Sequence, residues 1–121
     1  MNHRKHRIPA LIVLVAVLAF TACASTNPPG RNAMNFLESM KVTADSAMRV
    51  CATAYAAGQI TEQQKAEAIA SYDAFAAAEI TAATTLSGAK TQADVDAIVA
   101  NVSKTLTKLL ELLRAFGVKG V

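Results

Sequence analysis

Residues 91–117 read TQADVDAIVANVSKTLTKLLELLRAFG, and this stretch decides the fold. Val95, Val99, Val102, Leu106, Leu109, Leu113 and Phe116 stand 4, 3, 4, 3, 4 and 3 residues apart. Apolar side chains at that alternation share one face of an α-helix. Thr91 offers a capping hydroxyl and Asp94 places a carboxylate in the first turn. Arg114 sits in the last turn, where a cation meets the negative pole of the helix dipole, and Gly117 ends the run. The β-branched residues alone would suit a short strand, but a sustained heptad with caps at its start does not.

Two more segments obey the same rules. Thr61 and Gln64 form a capping box that opens a second helix, and Ser87-Gly88 closes it. Ile69, Tyr72, Ala76, Ile80 and Ala83 are expected to be its buried stripe, with Phe75 beside them. Upstream, Leu37, Met40, Ala44, Ala47, Cys51 and Ala54 repeat at 3, 4, 3, 4 and 3. Asn35 and Glu38 suggest a capping box near the start of that first helix, and Gly58 ends it. Three helices joined by short turns predict an all-α fold, a small antiparallel three-helix bundle over residues 33–121.

Ser25-Thr26-Asn27-Pro28-Pro29-Gly30 precedes the bundle. Tandem proline and glycine break regular structure, so residues 23–32 read as a flexible tether. Before them runs Ile8 to Cys23, almost wholly apolar, behind Arg4, Lys5 and Arg7. A basic start, a short apolar run and small residues at its end make an export signal over residues 1–22.

Phe20-Thr21-Ala22-Cys23 resembles the lipobox of bacterial lipoproteins. In that family a peptidase cuts just before the cysteine, whose sulfur carries a diacylglyceryl group, with a further acyl chain such as palmitate. The resemblance implies lipidation at Cys23 and membrane attachment through the lipid, which is the only cofactor-like group expected. Ala24 follows the cysteine in place of the aspartate that retains enteric lipoproteins in the inner membrane. By analogy this points to the outer membrane, with the bundle facing the periplasm. The same residues leave two other outcomes open. Ala22-Cys23-Ala24 also fits ordinary signal cleavage after Ala24, and the apolar run retained uncut would be a single membrane anchor.

Composition narrows the function. Arg4, Lys5 and Arg7 belong to the signal, and the other basic residues equal the 9 acidic residues in number, although the whole chain carries +3. A near-neutral domain lacks the basic surface that nucleic acid requires. Both histidines, His3 and His6, lie in the signal, so no general base of that type stands in the bundle, and no metal site is expected. Asp94 and Asp96 project from different sides of their helix. Ser39, Ser46 and Ser71 have no recognisable base. Asn101-Val102-Ser103 matches a glycosylation sequon inside a predicted helix and is read as chance. No enzymatic constellation emerges.

Three features remain. Cys51 is expected either as a buried apolar residue or as one half of a disulfide between two copies. Tyr55 and Tyr72 are expected to fill hydrophobic space with their hydroxyls at the surface. Ile98, Leu110 and Leu112 lie off the main stripe of the third helix, as a broad core face or as a contact for another copy, a partner helix of an envelope protein or a membrane surface. The expectation is therefore an envelope lipoprotein with a structural or protein-interaction role. Small lipoproteins of phages and prophages, some acting in lysis or exclusion, share this look. The other readings are a single-pass inner-membrane protein with a periplasmic oligomerisation domain, and a soluble periplasmic binder of a small ligand.

Overall fold

The computed structural model describes residues 29–121. Within them the chain forms three helices and no strand: α1 (Pro29–Ala56), α2 (Glu62–Leu86) and α3 (Gln92–Ala115). Each packs against the other two in an all-α, up-down-up bundle.

The helix ends explain where the chain turns. The amides of Gly58 and Gln59 donate to the carbonyls of Tyr55 and Ala54 at 3.0 and 2.9 Å. Gly58 stands at φ 73°, so α1 closes in the paired hydrogen-bond pattern that a left-handed glycine makes possible. Gly117, at φ 80°, ends α3 the same way, with Val118 donating to Leu113 at 3.0 Å and then burying its side chain. At the start of α2 both halves of the predicted capping box form: Gln64 N–H donates to Thr61 Oγ1 at 3.1 Å, and Thr61 N–H donates to Gln64 Oε1 at 2.9 Å. Thr91 caps α3 through Asp94 N–H at 3.1 Å.

α1 starts earlier than its sequence suggests. It begins at Pro29, so Asn35 and Glu38 lie inside it and form no cap, and residues 29–32, read as tether, are helical. Proline breaks a helix interior but suits the first turn, where its missing N–H has no partner to lose. Beside it α1 runs close to the end of α2: a Cβ on Gly30 would stand 3.4 Å from the Leu86 carbonyl oxygen.

The core combines small and large residues. α1 buries Ala33, Leu37, Met40, Ala44, Ala47, Cys51 and Ala54, a strict heptad. Its alanines admit the bulkier Val95, Val102, Leu106, Leu109 and Leu113 of α3. α2 contributes Ala68, Phe75, Ala82 and Leu86. This corrects the expected stripe by one residue. Ile69 is 42% and Ile80 65% exposed, whereas Phe75 is 1% exposed. The seam instead runs through positions 68, 72, 75, 79, 82 and 86, and the half-buried Glu79 occupies one of them.

Candidate interaction surfaces

The polar links of the bundle join α1 to α2. Tyr72 donates its hydroxyl to Asp45 Oδ1 at 2.5 Å. Lys65 places its Nζ 4.2 Å from the centre of the Tyr55 ring, a cation over an aromatic face. Both tyrosines therefore fix the hairpin as well as fill space. The bond to Asp45, then burial and the carboxylates of Asp45, Asp73 and Glu79, hold the Tyr72 hydroxyl proton above the usual phenol range.

Cys51 is 1% exposed. Burial pushes its thiol up, against a smaller opposite pull from the Lys65 ammonium. A thiol so placed behaves as a small apolar core residue, and a disulfide to another copy would require α1 to turn its core face outward.

Ile98, Leu110 and Leu112 are all half-buried, and Ile98 and Leu110 pack against the core. The large apolar side chains that remain exposed are on the other two helices: Met34, Phe36 and Val42 on α1, Ile69 and Ile80 on α2. The expected contact residues on α3 thus mostly widen its buried face. The sequence carried a signal for the α2 pair, since Ile69 and Ile80 were the anchors of an apolar stripe. That stripe is real but is not the one turned inward.

Surface grooves mark the three helix junctions. Val42, Thr43, Ala47, Leu110 and Arg114 line one of about 400 Å³ between α1 and α3. There Arg114 Nε donates to the Val121 carbonyl at 3.0 Å, holding the final residues against α3. Gly30, Arg31, Met34, Ala83 and Leu86 line one of about 470 Å³ between α1 and α2. Thr84, Asp94, Ala97 and Ile98 line one of about 580 Å³ between α2 and α3. Among the described residues no buried polar side-chain atom is left unpaired. Among the same residues no three histidine, cysteine, aspartate or glutamate side chains cluster as a metal site would need.

No described helix is long and apolar enough to cross a membrane. Phe20, Thr21, Ala22 and Cys23, the lipidation and cleavage residues, lie outside the described residues. The chain matches no family model, no curated protein and no solved structure.

Proposed function

We propose that this chain is a lipid-anchored protein of the bacterial envelope, whose three-helix bundle serves as a structural or protein-interaction module. The observation that carries this reading is Cys23. It ends the apolar run that begins at Ile8, follows Phe20-Thr21-Ala22, and precedes the first helical residue, Pro29, by six positions. Six residues span at most about 20 Å, so a lipid on Cys23 would hold the Pro29 end of the bundle close to the bilayer. α1 has 28 residues, a rise of about 42 Å along a helix, and would carry the opposite end well into the periplasm. Two or more acyl chains would make that attachment stable.

The interaction role draws support from the surface. Among the described residues, Met34, Phe36 and Val42 on α1 and Ile69 and Ile80 on α2 are large apolar side chains left exposed. The test is the intact mass of the mature protein from a bacterial host. A chain starting at a diacylated or triacylated Cys23 supports the reading. A chain starting at Ser25, or one retaining Met1, overturns it.

A further inference from the structure

We infer that Val118–Val121 is a strap, which opens as a unit and uncovers the groove between α1 and α3 while the bundle stays folded. The segment follows α3 and doubles back on it. Two glycines permit the fold-back: Gly117 stands at φ 80° and Gly120 at φ 92°. Side chains other than glycine avoid that region. A Cβ at either position would meet no atom within 4 Å, so nothing crowds the two bends. Between and beyond them the residues sort by burial. Val118 is buried in the core, Lys119 and Gly120 are exposed, and Val121 is half-buried against the core. Gly120 and Val121 form one wall of the groove, and Val42 and Ala47 of α1 face Leu110 and Arg114 of α3 across it.

The hold on the strap is slight. The Val118 amide donates to the Leu113 carbonyl at 3.0 Å, and Arg114 Nε donates to the Val121 carbonyl at 3.0 Å. The second bond is exposed, where water competes for both partners. α3 itself buries Val95, Val102, Leu106, Leu109 and Leu113. A segment with few buried apolar contacts and exposed hydrogen bonds opens locally, ahead of the elements it covers. A frayed end would expose only itself. This one also uncovers α1, because Ala47 is 4% exposed and shares its groove with Val121. Burial of Val118 favours closing, and Arg114 fixes where the closed strap lies.

The experiment is thiol labelling of the full chain carrying Ala47→Cys, with each modified site read by peptide mass. Cys51, one turn further along α1 and 1% exposed, is the internal reference for unfolding of the whole bundle. Position 47 is expected to label about tenfold faster than Cys51 or more, since strap opening sits below global unfolding in free energy. Its rate should ignore low urea, because opening exposes little surface, whereas Cys51 should follow the full slope. Gly120→Ala strains the strap alone and is expected to speed labelling at 47 about tenfold. The closed strap is part of the folded state, so Cys51 accelerates by the same factor. Val95→Ala loosens the core at the far end of α3 and is expected to speed Cys51 but not position 47. Equal rates and slopes at the two thiols overturn the inference, as does a Val95→Ala that speeds both or a Gly120→Ala without effect at 47. If Ala47→Cys does not fold, exchange of the Val118 amide against that of Leu109 in the native chain makes the same comparison, with the same overturning results.

Discussion

Tyr72 on α2 and Asp45 on α1 lie 27 residues apart and share one hydrogen bond of 2.5 Å from hydroxyl to carboxylate. This contact keeps one register with Gly30 against Leu86 and Lys65 over Tyr55, at matching heights along the same pair of helices. A hydrogen bond to a charged acceptor contributes about 1.5–3 kcal/mol, and the partial exposure of both side chains places this one near the lower end. Tyr72→Phe is therefore expected to cost about 1.5 kcal/mol, read as a lower urea midpoint at unchanged slope. Asp45→Asn keeps an acceptor and should cost less. An unchanged midpoint in Tyr72→Phe would show that the bond adds nothing beyond packing.

Alkaline pH should weaken the bundle in two steps. Cys51 is raised chiefly by burial, and Tyr72 chiefly by its bond to Asp45. A group whose proton is held more tightly in the folded state stabilises the fold fully below its unfolded pKa. That contribution is lost as pH rises through the raised value. The unfolded values are about 8.5 for a thiol and about 10 for a phenol, so stability is expected to hold through neutrality and fall above about pH 8.5. Cys51→Ala should remove the first part of the decline and Tyr72→Phe the second. Urea midpoints collected across the alkaline range check this, and a decline identical in the double variant would assign it to other groups.

The buried stripe of α2 can be told from the exposed one by truncation. Phe75 is 1% exposed, and its replacement by Ala should cost about 3–5 kcal/mol, a large share of the stability of a small domain. Ile80 is 65% exposed, and Ile80→Ala should cost under about 0.5 kcal/mol. Thermal unfolding followed by circular dichroism reads both. Equal costs would mean that the two stripes share the core.

That contrast also marks how far the sequence could be read. α3 was legible because its leucines and valines occupy one face and its lysines the other, and its cap and closing glycine agree with that face. α1 was legible from its heptad, although its start was not: Pro29 reads as a breaker until the helix is seen to begin with it. α2 was legible as a helix and misread in rotation. Alanines stand on all of its faces, so hydrophobicity singles out no direction. Ile69 and Ile80 outweigh Ala68 and Ala82 by size, yet the core across from α1 and α3 has room for small side chains at those points. Glu79 also stands in a seam position, where its carboxylate stays half-exposed, so polarity does not mark the buried face either. The Tyr72–Asp45 bond was not foreseen, since nothing local links residues so distant in sequence. The exposed faces followed from the same rotation: once Phe75 turns inward, Ile69 and Ile80 turn out.

The three turn glycines should not respond alike to an added methyl group. Gly58 and Gly117 stand at φ 73° and 80°, and a Cβ at either meets no atom within 4 Å. The cost of Gly58→Ala or Gly117→Ala is then purely conformational, about 1–2 kcal/mol for holding an L-residue in the left-handed region. Gly88 has no such angle, and a Cβ there would stand 3.7 Å from the Thr85 carbonyl oxygen, an ordinary contact. Because α2 closes through Ser87 in a right-handed conformation, Gly88→Ala loses nothing in the fold and restricts the unfolded chain. It is expected to stabilise by about 0.4–1 kcal/mol, against a loss at the other two positions. Melting temperatures of the three single variants decide the matter. A loss at position 88 equal to that at 58 would mean that the α2–α3 turn also depends on glycine's freedom.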